Sequence, residues 1–470
     1  MTALALTMMQ FNIEYGGTGV DFTAVPRAIE EAGADVVAVQ EACGQMPAIA
    51  EALGWPYFDN RTQVVSRFPL LDPPEPTAGV VLVEGAPGAV FAVVNVHPTS
   101  RVYGPSRVAD VDDVERVVRR ECRTRLQELL PSLRAAESLV QQGIPVVLLG
   151  DFNAPSHRDW TPETVGLRPH MSRSVPWPTS IATESVGLVD VYRRHHPDAV
   201  ANPGLTWPAA RPFVSGYNPQ LNGAPADRID LMFVSSDIES SSIRIMGEEG
   251  SEYCDLTMDP WPTDHRALVA ELSLTPTAPP PIVSVSSRVV ESDAVVGIRY
   301  VVPAGRANLL AVSADDGRGR LVELPVADAS AGAVTLDVSG LGIGRHDVVL
   351  EDDEERGLAS AVLWVTEPGA TPLLRTDAVS YRMGEPITVE WRGAPGNRAD
   401  WIAVHLRGAD PGQARQRALV YTGATVDGEA GLDACLRPGM WPLLPGDYTV
   451  HLLRDDRPVQ LATADFTVTA

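Results

Sequence analysis

The chain of 470 residues contains no lysine, so all 37 of its basic residues are arginines, against 61 acidic residues and a net charge of −24. Proteins that bind long nucleic acid through its backbone use clustered cations to displace condensed counterions. The acidic balance therefore argues against a protein that holds long nucleic acid by charge. It leaves nuclease activity open, because local arginines and metal ions override net charge at a site.

Cysteines and long apolar runs are also scarce. Cys43, Cys122, Cys254 and Cys435 show neither metal-site spacing nor a disulfide framework, which predicts reduced thiols. The N-terminus has no basic segment followed by a cleavage site, and no apolar run approaches the ~20 residues that span a bilayer. These absences predict a cytoplasmic protein without a transmembrane segment.

The most informative motif is Gly150-Asp151-Phe152-Asn153, which follows the apolar run from Pro145 to Leu149. A carboxylate and an amide turned together by a strand-to-loop bend can hold one water or one phosphoryl oxygen between an acceptor and a donor. The alternative is an ordinary turn, in which Asp151 and Asn153 bond their own backbone.

Other apolar strands also end in polar residues, in a set order along the chain. These residues are Gln10 and Asn12, Gln40 and Glu41, Asn95 and His97, Asp227 and Asp230, and Asp264 and His265. Unpaired polar groups buried in a core cost about 1–3 kcal/mol each, so their presence predicts that they converge on one site. Taken singly, each has a plainer reading: a solvated loop acid for Glu41, a strand cap for His97 and a turn for Asp264-His265.

Together these residues resemble the endonuclease/exonuclease/phosphatase superfamily of metal-dependent phosphoesterases, over about Met8 to Leu274. Ser66-Arg67-Phe68-Pro69-Leu70 matches a further family segment, expected on the strand after the second helix. The resemblance implies an α/β (α+β) four-layer sandwich, in which two packed β-sheets are flanked by helices. Its specificity lies in the ordered co-occurrence of the motifs.

The resemblance also assigns a metal site. Glu41 offers a hard oxygen ligand suited to Mg²⁺, with Mn²⁺ as an alternative, because Mg²⁺ needs only one or two protein carboxylates. Asn12 is expected beside that metal and the scissile phosphate. Asp264 either completes the site or binds a second ion.

Catalytic roles follow from the same comparison. His265 is expected to act as general base, with Asp230 fixing its tautomer. Asp151 and Asn153 are expected to place the attacking water and the phosphoryl group. His97 resembles the family histidine that contacts a phosphate oxygen, and two acids, Glu75 and Glu84, are the candidates for its carboxylate partner.

The stretch from Ala154 to Ala226 is rich in loops, and loops of this length inside a domain usually carry specificity. His157 and Trp160 are expected to bind substrate. Trp160, Trp177, Trp207 and Tyr217 either stack on a substrate group or pack the loop onto itself.

Helices are predicted over 22–32 and 45–53, each closed by a glycine, and over 112–142, where apolar residues have helical spacing. The catalytic domain is assigned to residues 1–275. A Pro-rich linker at 276–281 follows it.

The remaining sequence has short β-rich runs and an internal repeat. Arg306 to Val312 recurs as Arg398 to Val404, and Leu358 to Ala361 recurs as Leu461 to Ala464. The repeat predicts two all-β immunoglobulin-like sandwiches, at 282–367 and 371–470. Their ligand could be a glycan, another protein or none.

The sequence thus predicts a Mg²⁺-dependent hydrolase that cleaves a phosphodiester or phosphomonoester by metal-assisted attack of water. Two alternatives stay open at this stage. One is a nuclease acting on DNA or RNA, and the other is a binding or scaffold protein whose tandem β modules carry the function. The identity of the phosphoester substrate is not determined by the sequence.

Overall fold

The structure, a computed structural model, describes residues 2–74, 79–109, 113–210, 225–302, 309–314, 319–326, 329–434 and 441–470. The chain divides into two compact units, Met1–Pro279 and Pro280–Ala470. Within the described residues, no helix combines the length and apolar character needed to cross a bilayer.

The strands of the first unit are β1 (Leu4–Asn12), β2 (Val36–Gln40), β3 (Tyr57–Asp59), β4 (Val64–Ser66), β5 (Leu70–Leu71), β6 (Val80–Ala86), β7 (Ala89–Val96), β8 (Val146–Asp151), β9 (Leu188–Asp190), β10 (Asp230–Ser235), β11 (Glu239–Glu248), β12 (Leu256–Met258) and β13 (Ala267–Leu274). Its helices are α1 (Ala24–Glu31), α2 (Met46–Leu53), α3 (Pro105–Val108), α4 (Val114–Arg123), α5 (Arg125–Gln141), α6 (Pro178–Ser185) and α7 (Val191–His195).

The described strands of this unit form two sheets. The seven-stranded sheet has the order β12-β11-β13-β1-β2-β4-β3, and the six-stranded sheet has the order β5-β6-β7-β8-β10-β9. β1 is parallel to β2, and β7 is parallel to β8, whereas β13 and β10 run antiparallel to β1 and β8. The carboxyl ends of β1, β2, β7 and β8 therefore share an edge with the amino ends of β10 and β13.

Alternation along β1 places its side chains in two different cores. Met8 packs with Val93 and Leu149 of the other sheet, whereas Met9 and Phe11 pack against α1 and α2 with residues such as Ile29. Successive side chains of a strand point to opposite faces, so a run that is apolar on both faces is covered by a second sheet on one side and by helices on the other.

The helix predicted over 112–142 is broken. Its described part forms α4 and α5, separated at Thr124, which has φ −118° and ψ −96°. The Thr124 hydroxyl donates to the Arg120 carbonyl at 3.0 Å, a local bond that competes with regular helix geometry. The predicted helices at 22–32 and 45–53 are present as α1 and α2, slightly shortened.

The sequence predicts that the segment from Ser66 to Leu70 lies on one strand. In the structure it does not. Ser66 ends β4 in the seven-stranded sheet, and Leu70 begins β5 in the six-stranded sheet. The segment therefore connects the two sheets, because Pro69 cannot donate a backbone hydrogen bond within a strand.

The strands of the second unit are β14 (Ile282–Val285), β15 (Val289–Glu291), β16 (Val295–Val301), β17 (Leu309–Ala314), β18 (Arg320–Pro325), β19 (Ala331–Asp337), β20 (Gly344–Glu351), β21 (Gly357–Thr366), β22 (Leu373–Thr376), β23 (Ser380–Arg382), β24 (Thr388–Arg392), β25 (Trp401–Leu406), β26 (Ala418–Tyr421), β27 (Gly428–Gly431), β28 (Gly446–Leu453) and β29 (Gln460–Thr469).

These strands repeat one topology. Sheets β14-β16-β19 and β15-β21-β20-β17-β18 are followed by β22-β24-β27 and β23-β29-β28-β25-β26. The described part of the predicted repeat occupies equivalent strands, β17 and β25 for its first element and β21 and β29 for its second; positions 306–308 lie outside the described residues. Each half also has its own apolar core. The immunoglobulin-like assignment of these halves stays a prediction.

Candidate active site

Six strand ends bring polar side chains to one edge of the two sheets. Asn12 ends β1, Glu41 follows β2, His97 follows β7, Asp151 ends β8, Asp230 begins β10, and His265 precedes β13. Three of these strands belong to each sheet. The site therefore lies where both sheets end, as expected for residues at the shared edge of paired strands.

The Asn12 amide lies at the centre of this group. Its Nδ2 donates to Asp151 Oδ2 at 3.0 Å and to Glu41 Oε1 at 3.3 Å, and it lies 3.4 Å from His265 Nε2. The Asn12 Oδ1 accepts from the backbone N–H of Glu14 at 3.0 Å, which orients the amide. Residues from both sheets thus meet at one side chain.

His265 and Asp230 form a buried pair. The Nδ1 of His265 lies 3.0 Å from Asp230 Oδ2, and Gln10 donates to Asp230 Oδ1 at 2.6 Å. The Thr206 hydroxyl accepts from the backbone N–H of Asp230. A carboxylate on Nδ1 fixes the histidine tautomer and directs Nε2 toward the rest of the site.

His97 faces two carboxylates at the site. Its Nε2 lies 3.5 Å from Asp151 Oδ2 and 3.9 Å from Glu41 Oε1. A third acid, Glu128, also interacts electrostatically with His97.

Glu84 is corrected as a partner of His97. It pairs with Val90 in the hairpin of β6 and β7, and its Oε1 accepts from the Gly88 backbone N–H at 3.1 Å. From position 90 to position 97 an extended strand advances roughly 23 Å, so Glu84 lies at the opposite end of β7. Glu75, the other candidate, lies outside the described residues.

Both interpretations of the Gly150-Asp151-Phe152-Asn153 motif apply, because Asp151 and Asn153 form a local turn and also lie at the site. The Asn153 backbone N–H donates to Asp151 Oδ1 at 2.7 Å, which is the local bond of a turn. Its Nδ2 donates to the Pro98 carbonyl at 3.1 Å and to Asp151 Oδ2 at 3.2 Å. The turn holds the Asp151 carboxylate toward Asn12 and the two histidines.

Gly150 allows β8 to approach β7 at this point. Its φ is 151°, and an added Cβ would lie 1.9 Å from the Val96 carbonyl oxygen. A residue with a side chain would push apart the two strands that carry Asp151 and His97.

Asp264 is held beside the site by an aromatic residue. Trp207 Nε1 donates to Asp264 Oδ2 at 3.1 Å, and the Asp264 backbone N–H donates to Glu14 Oε2 at 3.1 Å. Asp264 Oδ1 lies 3.8 Å from His265 Nε2 and has no hydrogen-bond donor within the part of the chain that the structure describes.

Several non-glycine residues around the site have left-handed backbone conformations. Their φ values are 51° for Glu14, 48° for Tyr15, 57° for Glu41, 47° for Cys43 and 49° for Asn153. Such conformations cost energy and concentrate where surrounding structure imposes them, commonly at functional sites. This clustering points to the same edge of the sheets as the polar side chains do.

The buried charges shift one another's pKa values. Burial alone would lower the pKa of His265, but Asp230, Asp264 and Asp151 outweigh it and raise that pKa well above its usual value. Burial alone would raise the pKa of Asp151, but His265 and His97 outweigh it and lower that pKa. Burial raises the pKa of Asp230, and His265 opposes part of this rise. These mutual shifts favour the ionised form of Asp151 and the protonated form of His265.

Trp160 is corrected from a substrate contact to an internal support. Its side chain is 1% exposed, and it packs edge-on against Trp177 with ring centres 5.3 Å apart. Its Nε1 donates to Asp227 at 3.0 Å. A buried ring cannot stack on a substrate, so Trp160 and Trp177 pack the loop onto itself.

His157 is held by α6 instead of by the catalytic group. Its backbone N–H donates to the Ser180 hydroxyl, which also lies 2.9 Å from its Nδ1, and its Nε2 lies 3.6 Å from Glu184. Within the described residues, these contacts tie His157 to α6 and not to Asp151 or His265, and its role in substrate binding stays a prediction.

Three polar residues that were predicted to converge on the site had no role assigned to them from the sequence. A buried chain of amides runs from Asp230 through Gln10 and Gln40 to Asn95, with Gln10 Nε2 to Gln40 Oε1 at 2.7 Å and Gln40 Nε2 to Asn95 Oδ1 at 2.8 Å. The sequence signal for these three amides was their position in apolar strands. Their hydrogen-bond partners depend on strand register, which the sequence does not reveal.

Trp207 and Tyr103 form a second group that the sequence left open. The Trp207 ring centre lies 6.4 Å from that of His265 and 5.5 Å from that of Tyr103. Tyr103 donates to buried Asp227 at 2.8 Å. Trp207 is thus the aromatic residue of the long loop stretch that reaches the site, whereas Tyr217 lies outside the described residues.

The donor set fits a hard divalent cation. Ligand atoms of Asp151, Asp230 and His265 all lie within 4.8 Å of one another, although both oxygens of Asp230 already accept hydrogen bonds. The Asp264 oxygen that lacks a donor in the described part of the chain lies beside this group. Oxygen-rich sets of this kind suit Mg²⁺ or Mn²⁺.

Cys122 and Cys254 lie outside any disulfide among the described residues, and the reduced state of the thiols stays a prediction. Cys435 lies outside the described residues. No thiol was needed in the predicted chemistry.

Comparisons with known proteins find several that are similar to this chain. The uncharacterized protein F14F9.5 of Caenorhabditis elegans is 26% identical over 297 residues, which is 57% of this chain and 92% of that protein. An endonuclease/exonuclease/phosphatase from Beutenbergia cavernae matches with TM-score 0.33 and 17% identity, over 77% of this chain and 99% of that chain.

Two further solved structures have similar scores. The Bacteroides thetaiotaomicron mannosyl-6-phosphatase matches with TM-score 0.30 and 14% identity, over 57% of this chain and 99% of that chain. D. rerio TDP2 complexed with a single-strand DNA product matches with TM-score 0.31 and 14% identity, over 57% and 98%. The family model described as Endonuclease/Exonuclease/phosphatase matches residues 9–265, more than half of the 470 residues. The chain belongs to the endonuclease/exonuclease/phosphatase family.

Proposed function

We propose that this protein is a divalent-cation-dependent hydrolase that cleaves a phosphoester by attack of water. Members of the family are hydrolases acting on phosphoesters. The observation that carries the proposal for this chain is the Asn12 amide, which lies within 3.4 Å of Glu41, Asp151 and His265 atoms that come from distant parts of the sequence. A site of acids, amides and imidazoles suits phosphoryl transfer, where positioning and charge stabilisation dominate.

The residues that would hold the cation are Glu41, Asn12 and Asp264. The choice rests on the oxygen atoms of these side chains and on the negative charge of this side of the site. Burial raises the pKa of Tyr15, and the carboxylates of Glu41 and Asp264 raise it further, so both acids act on the same region. A bound Mg²⁺ or Mn²⁺ supplies neutralisation of the nonbridging phosphate oxygens. Mg²⁺ is the preferred ion of the proposal because the set is rich in oxygen.

The charge states suggest how the side chains divide the work. The histidines lower the pKa of Asp151 and the carboxylates raise that of His265, so we assign Asp151 to accept a proton from water and His265 to stabilise phosphoryl oxygens. This assignment changes the role predicted for His265, which was general base. Asp230 would orient the His265 ring in either role, because it binds Nδ1.

His97 and Asn153 would complete the phosphate site. His97 lies on the Asp151 side of the cluster, with Nε2 3.5 Å from Asp151 Oδ2, and would contact a phosphate oxygen. Asn153 would fix the Asp151 carboxylate through two donors. Both roles follow from the predicted family positions and from these contacts.

The test is a substrate and cation screen of the purified protein. A bis-aryl phosphodiester, an aryl phosphomonoester, plasmid DNA, RNA and sphingomyelin would each be incubated with Mg²⁺, Mn²⁺, Ca²⁺ or a chelator. Hydrolysis of any substrate with Mg²⁺ or Mn²⁺ that the chelator abolishes supports the proposal. Absence of hydrolysis in every combination would overturn it.

The same screen separates the alternative functions. Cleavage of DNA or RNA alone would favour a nuclease, a reading that the net charge of −24 does not support. A scaffold whose tandem β modules, 282–367 and 371–470, bind a glycan or protein would keep its biological activity in the Glu41→Ala variant. The convergent site favours the hydrolase over that reading.

A further inference from the structure

Two buried histidines face each other on one sheet of the second unit. His405 of β25 pairs with Thr449 of β28, so His451, two residues further along β28, lies diagonally opposite on the same face. This face is turned away from the core that contains Val404 and Val450. The two imidazole ring centres are 5.1 Å apart, and the ring planes meet at 76°.

The histidines are buried without the hydrogen bonds that burial normally demands. His405 is 1% exposed and His451 is 5% exposed. Neither ring nitrogen of His405, and not the Nε2 of His451, has a hydrogen-bond partner in the described part of the chain. Each such unsatisfied atom costs about 1–3 kcal/mol, so three of them around one contact require an explanation.

The hydrogen bond of His451 directs its lone pair. Its Nδ1 lies 3.1 Å from the amide oxygen of Gln460, which only accepts, so Nδ1 carries the hydrogen and Nε2 carries the lone pair. Metal-binding histidines have this arrangement, in which one nitrogen donates to a fixed acceptor and the other faces the ion.

Burial favours the neutral form of both rings. Burial, and then the neighbouring His451, lowers the pKa of His405, and burial lowers the pKa of His451. The neutral imidazole is the form that binds a metal ion. Two neutral rings placed side by side are thus ready to act as ligands.

We propose that His405 and His451 form a site for a divalent transition-metal ion such as Zn²⁺. Two imidazoles on one tetrahedral Zn²⁺, at Zn–N distances of about 2.0–2.1 Å, have ring centres about 5 Å apart. The observed 5.1 Å matches this geometry. Imidazole ligands favour Zn²⁺, Cu²⁺ or Ni²⁺ over Mg²⁺, so the ion differs in kind from that of the hydrolytic site.

A metal ion at this site would fix a loop against the sheet. The chain between β25 and β26 places the Ala414 carbonyl near the His405 ring, close enough to favour its protonation without the geometry of a hydrogen bond. The carboxylate of Asp410, in the same loop, acts on His405 and that of Asp465 acts on His451. Neither acid forms a ligand group with the two histidines in the described part of the chain, so the ion would be held by the two imidazoles and by water, and its proposed role is structural.

The experiment isolates this site from the hydrolytic one. The full-length His97→Ala/His265→Ala double variant, once circular dichroism has shown that it folds, lacks the imidazoles of the hydrolytic site, and excess Mg²⁺ competes for the oxygen ligands there. Zn²⁺ binding to this parent is measured by calorimetry. Adding His405→Ala or His451→Ala should weaken the tightest Zn²⁺ binding at least tenfold, and Gln460→Ala should weaken it by roughly 10–100-fold.

His346→Ala is the matched control. His346 is also buried on a strand of the second unit, but its Nε2 lies 2.7 Å from the Gly342 carbonyl and it lies outside the described histidine pair. This variant should bind Zn²⁺ as the parent does. Equal binding by the parent and by both His405→Ala and His451→Ala would overturn the proposal, as would a parent that binds no Zn²⁺.

A second measurement covers variants that fail to fold. Cu²⁺ bound to the parent should give an electron paramagnetic resonance spectrum with coupling to two imidazole nitrogens. A spectrum with coupling to one imidazole or none would contradict the paired site. Circular dichroism of each variant shows which of the two measurements applies.

Discussion

Asp151 and Asp230 stand directly opposite each other in the antiparallel strands β8 and β10. Like charges at such positions repel, and His265 lies between them, with Nδ1 3.0 Å from Asp230 and Nε2 3.7 Å from Asp151. The histidine therefore offsets a repulsion that the strand register creates. Its removal should affect folding as well as catalysis.

The His265→Ala variant should lose about 3 kcal/mol of unfolding free energy, because two buried carboxylates are left without their cation. The pKa of Asp230, already raised by burial, should rise further, so the folded state binds an extra proton at low pH. The free energy of unfolding of the variant relative to wild type is then highest at acidic pH and falls as the pH rises. Urea unfolding should give a larger deficit at about pH 7 than at about pH 5. Adding Asp230→Asn should restore part of the deficit, and an unchanged deficit would contradict this account.

Asp151→Asn should lower kcat by at least about a hundredfold on whichever phosphoester the screen identifies, since the carboxylate that takes a proton from water is gone. The fold should persist, because the amide oxygen can still accept from Asn153. Steady-state kinetics would measure the loss. Asp237→Asn, at an exposed position after β10, serves as the control and should keep wild-type kcat. Near-normal activity of Asp151→Asn would break the assignment.

Removal of the divalent cation should abolish hydrolysis without unfolding the first unit. Glu41→Gln should require a higher concentration of Mg²⁺ for half-maximal rate, because one negative ligand is lost. Titration of the rate with Mg²⁺ measures this shift. Glu84→Gln, a change of the buried carboxylate at the hairpin, is the matched control and should leave the Mg²⁺ requirement unchanged. Equal requirements in all three proteins would exclude Glu41 as a ligand.

Gln10→Met should cost about 1–3 kcal/mol of stability, because it leaves acceptors on Asp230 and Gln40 without their donor. It should also lower kcat, since Asp230 loses one of the contacts that hold the His265 ring. Chemical denaturation and kinetics on the same preparation would measure both effects. A variant that is destabilised but has wild-type kcat would show that the amide chain is purely structural.

Two tryptophans should respond differently to the same substitution. Trp160→Phe removes the donor to buried Asp227 and should lower stability by about 1 kcal/mol with KM unchanged. Trp207→Phe removes the donor to Asp264 and should change the Mg²⁺ requirement or KM. Kinetics at several Mg²⁺ concentrations would separate them. A raised KM in Trp160→Phe alone would reinstate its predicted contact with substrate.

The strand-end residues could be predicted because their signal is local. Asp151 and Glu41 each follow an apolar run. A polar group buried there without a partner costs free energy, so its presence indicates a site. The amide chain could not be predicted in the same way. Gln40 meets Asn95 only through the packing of two sheets, which no local pattern encodes.

Other misses have similar causes. Trp160 looked like a surface aromatic because its segment is rich in turns, yet burial beside Trp177 is decided by tertiary packing. The apolar residues over 112–142 keep one helical spacing throughout, which predicts one continuous helix. The break comes from the non-helical backbone angles of Thr124, which the spacing of apolar residues does not reveal. Of the two acids predicted as partners of His97, Glu84 lies at the hairpin end of β7, whereas Asp151 and Glu41 face His97.

Because Asn12 belongs to one sheet and Asp151 to the other, their 3.0 Å hydrogen bond spans the interface between the two layers. A slip of one layer against the other by a single ångström would separate donor from acceptor while leaving each layer intact. Turnover should consequently decline during heating before circular dichroism registers any melting, which makes catalysis a sensitive gauge of how well the layers are aligned.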